Sequence, residues 1–181
     1  MTLRRWSGAL AGLYVLAAGS ALAAEPKPAP KLVVVISVDQ FSANLFNQYR
    51  SRYTAGLRTL TNEGLVYANG WQSHANTETC PGHSTILTGK HPNKTGIPAS
   101  DWLDPTTGQN VYCLSAPANT IAGGASGLPV GPDNLRATTL GDWLKNSPNP
   151  GKVFAISGKD RGAINLAGHK ADGVFWYREG F

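Results

Sequence analysis

Residues 32–38, LVVVISV, form a β-branched run with no polar alternation, the pattern of a strand buried on both faces of a parallel sheet. Asp39 falls at its carboxyl end. Beyond it, apolar residues recur at Leu45, Tyr49, Tyr53, Leu57 and Leu60, a spacing that predicts an amphipathic helix over 42–63 with Ser42 as N-cap and Gly64 as its stop. The segment LVYANGW at 65–71 reads as the next strand, and a further helix is expected to start near Pro81. Another helix is expected over 134–145, with Leu135, Leu140 and Leu144 inward. Residues 152–157 and 173–177 (GVFWY) read as short apolar strands. This alternation is the grammar of an α/β fold, a mostly parallel sheet flanked by helices. The stretch 104–134 is heavy in Gly, Pro, Ser, Thr and Asn and lacks helical periodicity. It is expected to be a long loop, interrupted by a short strand around 111–114.

The chain ends change this picture. Residues 1–24 carry Arg4 and Arg5, then an Ala- and Gly-rich apolar stretch, then Ala21-Leu22-Ala23 before Ala24 and Glu25. That is the layout of a secretory signal peptide, so the protein is expected to be periplasmic or secreted, with no membrane span after cleavage. Residues 25–31 form a Pro-rich tether, and the folded domain is expected over 32–181. The chain stops at Glu179-Gly180-Phe181 directly after an expected strand, which reads as the amino-terminal portion of a longer, here incomplete, domain.

Charged residues make up only 15% of the 181, which excludes a disordered chain, while 21 Gly and 12 Pro imply many turns. The net charge of +5 is carried by scattered residues, two of them in the leader, and gives no footprint for a nucleic-acid duplex. Export makes Cys80 and Cys113 candidates for a disulfide, with two buried free thiols as the alternative.

Open α/β sheets place ligands beyond the carboxyl ends of their strands, so Asp39 stands where a metal or phosphate would sit; a turn or helix-capping Asp would look the same. The segment 76–89, NTETCPGHSTILTG, is the richest in chemistry. Pro81 suits a first helical turn and Gly89 a C-terminal cap, so Thr79 should lie at or just before a helix start. There its hydroxyl would face free N–H groups and the positive end of the helix dipole, a place that attracts phosphate, although a plain Thr N-cap has the same position. Spacing excludes a P-loop, because Gly82 and Gly89 are seven positions apart and His91 follows Lys90. It also excludes a G-x-S-x-G nucleophile elbow, because Ile86 stands where the second Gly is needed. Cys80-Pro81-Gly82 departs from the Cys-x-Pro-Ser-Arg pattern of sulfatases.

Asp39, the run Thr79-Cys80-Pro81-Gly82-His83-Ser84-Thr85 with Thr88-Gly89, and Gly96-Ile97 together resemble the type I phosphodiesterase/nucleotide pyrophosphatase family of the alkaline phosphatase superfamily. The likeness is strongest to its bacterial periplasmic branch of threonine-nucleophile alkaline phosphatases, and it covers the mature chain as the amino-terminal third of such an enzyme. The resemblance implies an alkaline-phosphatase-like fold and hydrolysis of small-molecule phosphate esters at two zinc ions. It also implies Thr79 as nucleophile, and Asp39 and Thr79 as ligands of one metal. A metal pair can activate the attacking hydroxyl and stabilise the leaving oxygen. In Ser157-Gly158-Lys159-Asp160-Arg161, Lys159 and Arg161 match the pair that contacts the phosphoryl oxygens, which favours monoesters because they carry the extra non-bridging charge.

One departure concerns Ser100, which stands where this branch has an Asn that donates to phosphate; Ser is shorter and offers one donor where Asn has two. His74, His83, His91 and His169 read as structural, and the family's other Asp and His ligands belong to sequence beyond residue 181. The expectation is therefore a zinc-dependent monoesterase with a phospho-threonine intermediate, inactive as the 1–181 chain alone. The alternatives are a phosphodiesterase or nucleotide pyrophosphatase of the same family, or a noncatalytic phosphate-ester-binding relic, the latter motivated by Ser100 and the missing ligands.

Overall fold

The structure, a computed structural model, describes residues 29–119 and 129–177. The expected leader, the first part of the tether, the glycine run at 123–127 and the last four residues lie outside them. Contacts divide the chain into two units, residues 1–36 and 37–181. In the first, residues 32–36 have exposed side chains and belong to no strand. The strand expected over 32–38 is thus not formed. An all-apolar run becomes a buried strand only when neighbours pair with both of its edges, and among the described residues none does.

The second unit opens with a tight turn at Asp39 and Gln40, where Gln40 takes φ 59°. Ser42 caps α1 (Ala43–Tyr49), its Oγ accepting from the Leu45 amide at 3.2 Å. The single helix expected over 42–63 is broken. A short 3-10 turn (Arg50–Arg52) and extended residues at Tyr53 and Thr54 separate α1 from α2 (Ala55–Glu63), and Ala55 has φ 48°. Tyr53 explains the break: its ring packs against Phe41 and Phe46, and its hydroxyl donates to the Phe46 carbonyl at 3.1 Å. That contact folds the chain back on α1 instead of continuing along it. The expected strand at 65–71 is absent, its apolar residues exposed and unpaired.

Helix α3 (Thr79–Thr88) ends at Gly89 in the left-handed conformation, φ 64°, with the Gly89 amide on the Thr85 carbonyl at 2.9 Å, a glycine-favoured stop. A short α4 (Pro92–Thr95) follows, then an antiparallel hairpin of β1 (Asp101–Leu103) and β2 (Asn110–Tyr112). The expected long loop after β2 is tied back on itself by a bridge between Ser115 and Val130 and by the Gly131 amide on the Leu114 carbonyl at 2.9 Å.

The helix expected over 134–145 is confined to α5 (Leu140–Lys145), because Thr139 starts it with a full capping box: Thr139 Oγ1 accepts from the Asp142 amide and Asp142 accepts from the Thr139 amide. Leu135 is buried as expected, but Leu140 and Leu144 are exposed and Asp142 is the buried residue of α5. The final unit is β3 (Phe154–Ser157), α6 (Asp160–Ala167) and β4 (Gly173–Trp176), with β3 and β4 parallel and α6 as crossover. Helix α6 packs on α3 and both strands. The core between them holds Cys80, Ile97, Cys113, Leu114, Leu135 and Ile164, with Trp102, Val174 and Trp176 against it. Among the described residues the strands form two small two-stranded sheets with helices beside them, a partial α/β arrangement in keeping with the expected incomplete one.

Candidate active site

Thr79 is the first residue of α3, and Pro81 lies in the same turn. The first amides of a helix have no partner within it, so the hydroxyl of Thr79 sits beside free donors. That hydroxyl donates to Asp39 Oδ2 at 3.5 Å, the long end of hydrogen-bond range. His83, one turn along, donates from Nδ1 to the Thr79 carbonyl at 2.8 Å, and its Nε2 meets the Ser37 hydroxyl at 3.3 Å. The geometry fixes the imidazole to the residue that precedes Asp39 by two and to the backbone of Thr79, a brace between the Asp39 turn and the start of α3.

Lys159 reaches the same carboxylate. Its Nζ donates to Asp39 Oδ2 at 3.0 Å across 120 residues of sequence. The Lys159 hydrogen bond holds the Asp39 carboxyl below the usual carboxylate range against the opposing effect of burial, with its charge and the Thr79 hydroxyl adding to the fall. Thr79, Asp39 and Lys159 are thus brought to one carboxylate oxygen.

Ser100 and Arg161 have other partners. The Ser100 amide donates to Glu78 Oε2 at 2.6 Å, and the Ser100 carbonyl accepts from the Cys113 amide at 2.9 Å. The Ser100 backbone amide is the main reason that the Glu78 carboxyl lies below its ordinary value; the charge of Arg161 contributes less. Arg161 is the second residue of α6. Its Nη1 donates to the Tyr112 hydroxyl at 3.2 Å and its guanidinium lies 5.7 Å from the centre of the Tyr112 ring. The Tyr112 hydroxyl in turn donates to Asp160 Oδ2 at 2.7 Å, while Asp160 Oδ1 accepts from the Arg161 amide at 2.7 Å. Burial first, then Asp160, pushes the Tyr112 phenol up to about 12. The Nε of Arg161 is buried and has no partner.

Lys159, Asp160 and Arg161 line an open groove of about 660 Å³ together with Tyr112, Trp176 and Tyr177. Gly162 lets this corner close: a Cβ there would strike the Ser157 side chain. Cys80 and Cys113 are joined, their Cα atoms 6.5 Å apart, and both are buried. The bridge connects the residue after Thr79 to the residue after Tyr112.

A profile of the type I phosphodiesterase / nucleotide pyrophosphatase family matches residues 33–181. The chain belongs to this family. It is 49% identical over 151 residues to alkaline phosphatase PhoK of a Sphingomonas species, a match that covers 81% of this chain and 27% of that protein. It is 42% identical over 172 residues to alkaline phosphatase PhoD of Zymomonas mobilis, covering 89% of this chain and 28% of that one. A crystal structure of a quadruple-substitution variant of alkaline phosphatase PafA superposes with a TM-score of 0.71 at 32% identity, over 78% of this chain and 28% of that one. The chain thus shares the α/β fold of these phosphatases and spans just over a quarter of their length.

Membership in the family directs attention to the donors available for metal. Asp39 and Thr79 offer two oxygens that face one another. A zinc site takes four ligands, or three and a water, and among the described residues no three His, Cys, Asp or Glu side chains cluster. Asp39 and Thr79 bring two neighbouring oxygens together, fewer than such a site takes. His74 pairs with Gln72 and Asn76, and His169 with Asp142 and the Leu135 carbonyl, as structural residues do.

Sequence reading did not single out Tyr112, Glu78 or Asp160. Asp160 lies between two residues that were, and Glu78 precedes Thr79, so adjacency was an available signal. Tyr112 is 49 residues from Arg161, and no spacing rule connects them.

Proposed function

We propose that the full-length protein hydrolyses phosphate esters, monoesters before diesters, by a ping-pong reaction through a phospho-threonine at Thr79. The observation that carries this reading is the convergence of the Thr79 hydroxyl and the Lys159 ammonium on one oxygen of Asp39, at the start of a helix, in a chain 49% identical to an alkaline phosphatase. In the first half-reaction the Thr79 oxygen, losing its proton, bonds to phosphorus while the ester P–O bond breaks and the alcohol leaves with a proton. In the second, water bonds to phosphorus, the P–Oγ1 bond breaks, and inorganic phosphate leaves as the Thr79 hydroxyl is restored.

Phosphoryl transfer asks of a protein chiefly positioning and charge neutralisation. Arg161 is suited to it: the guanidinium is held by Tyr112 through Nη1, lines the groove, and has N–H groups to spare for phosphoryl oxygens. Lys159 adds a second cation within the same turn of chain. Two cations favour the more highly charged monoester, which is why a phosphodiesterase is the weaker reading. Asp39 and Thr79 would be the ligands that this chain gives to one of two zinc ions. Zinc, when bound, supplies Lewis-acid charge stabilisation and eases loss of the hydroxyl proton. Residues 1–24 would direct export to the periplasm or beyond, an oxidising setting that suits the Cys80–Cys113 bridge.

The deciding experiment is zinc-supplemented hydrolysis of an aryl phosphate monoester and of the corresponding diester by the full-length protein, by the 1–181 chain and by full-length Thr79→Ala. Monoester preference that is lost with Thr79 and absent from 1–181 supports the reading. Diester preference would mean that Lys159 and Arg161 do not set specificity, and inactivity of all three would favour a phosphate-ester-binding relic marked by Ser100.

A further inference from the structure

Arg161 is useful for gripping phosphate only if its free edge is turned the right way, and an arginine side chain has several rotatable bonds to lose on being fixed. Three contacts in the structure bear on this. The Tyr112 ring lies beneath the guanidinium at 5.7 Å. The Tyr112 hydroxyl takes Nη1 at 3.2 Å. Asp160 then locks that hydroxyl from the far side at 2.7 Å while its other oxygen holds the Arg161 amide.

We propose that Tyr112 is the positioning residue of Arg161: by holding Nη1 and lying under the guanidinium it fixes how the group is presented to the groove that Arg161 lines. The clamp is itself anchored. The Asn134 side chain donates to the carbonyls of Tyr112 and Cys113, each at 3.2 Å, and Cys113 is bonded to Cys80, the neighbour of Thr79. Nucleophile and guanidinium are therefore referred to one another through Tyr112, and not only through the α3–α6 packing. With its phenol held up to about 12, Tyr112 remains a hydrogen-bond donor to Asp160 throughout the neutral and mildly alkaline range.

This inference rests on the assignment of Arg161 to the phosphoryl oxygens, and the test separates the two. In the full-length protein, Tyr112→Phe, Arg161→Ala and the double variant are compared with the parent for kcat and KM on an aryl phosphate and for the Kd of inorganic phosphate by calorimetry. Phe keeps the ring and removes only the hydroxyl. The expected result is a loss of about tenfold in phosphate affinity and in kcat/KM for Tyr112→Phe, of the size usual for coupled neighbours, and less than about twofold further loss when the same change is made in Arg161→Ala. Asp160→Asn is expected to behave likewise, independently of any effect of Tyr112→Phe on folding. An equal loss from Tyr112→Phe with and without Arg161 would overturn the clamp, as would no loss beside a costly Arg161→Ala. If Arg161→Ala changes neither affinity nor turnover, the assignment of Arg161 fails and takes the clamp with it.

Discussion

Ser100 is the residue whose chemistry departs furthest from what the resemblance implies. Its backbone is pinned at both ends, amide to Glu78 and carbonyl to Cys113, so the loop is placed firmly while its side chain is short. A donor aimed at a transferring phosphoryl group is typically worth ~10²–10³ in rate. Ser100→Asn in the full-length protein is expected to raise monoester kcat/KM by about tenfold or more; an unchanged or lower value would remove Ser100 from the site. Asp142 and Asp172 make a second residue-scale prediction. Burial opposes ionisation of Asp142, but the amide of Thr139 and both His169 contacts outweigh it, and its carboxyl lies below the ordinary value of 3.8. The Val153 amide, Lys152 and Lys145 draw Asp172 down further. A carboxyl depressed by folding adds stability that is complete above its unfolded value and is lost as pH falls through the folded one. The thermal midpoint of the full-length protein should thus fall as pH drops below about 4, and Asp142→Asn should flatten that slope. A slope unaltered by the substitution would assign the acid sensitivity elsewhere.

At the scale of elements, legibility followed locality. Helix α3 and its glycine stop were readable because Pro81 and Gly89 act within a turn of themselves, and β3 and β4 because an apolar run beside a helical period is a local pattern. The runs at 32–38 and 65–71 looked as good, yet a strand exists only by its ladder, and pairing partners are not a property of the run. The helix over 42–63 failed for a related reason: Tyr53 fits the stripe of Leu45 and Leu57, but its contacts with Phe41 and Phe46 turn it back toward α1. Of the proposed site, Asp39, Thr79, Lys159 and Arg161 are singled out by the resemblance, whereas Tyr112 required the fold. The bridge between α3 and β2 is the element-scale device that sequence left open. Closing a 33-residue separation by a disulfide contributes about 3–4 kcal/mol in the chain-entropy account. Reductant should therefore lower the unfolding midpoint of the full-length protein, and Cys113→Ser should lower it equally and abolish the response to reductant. Intact mass with and without reductant checks that the bond is present.

Among the described residues nothing covers one face of the βαβ unit. Ala155, Val174 and Trp176 turn toward α6 and the core, while Phe154, Ile156 and Phe175, in register on the opposite face, are 62%, 81% and 55% exposed. Parallel strands are ordinarily covered on both sides, and apolar patches of this kind are sites of further contact. The 1–181 chain on its own should bind a hydrophobic dye and self-associate, and Ile156→Lys should reduce both, as dye fluorescence and light scattering would record. A monodisperse chain without dye binding would show that this face tolerates water.

The Cys80–Cys113 bond has a consequence in time as well as in space. It sits one residue from the proposed nucleophile and one from the proposed clamp of Arg161, and such bonds do not persist in a reducing cytoplasm. On the proposed export route, a newly made molecule would pass its first moments among the cell's own sugar phosphates and nucleotides without the covalent tie between these two parts of the site. The oxidation that follows translocation would add that tie, so that on the proposed reading the site would gain its covalent brace only away from its maker's metabolites.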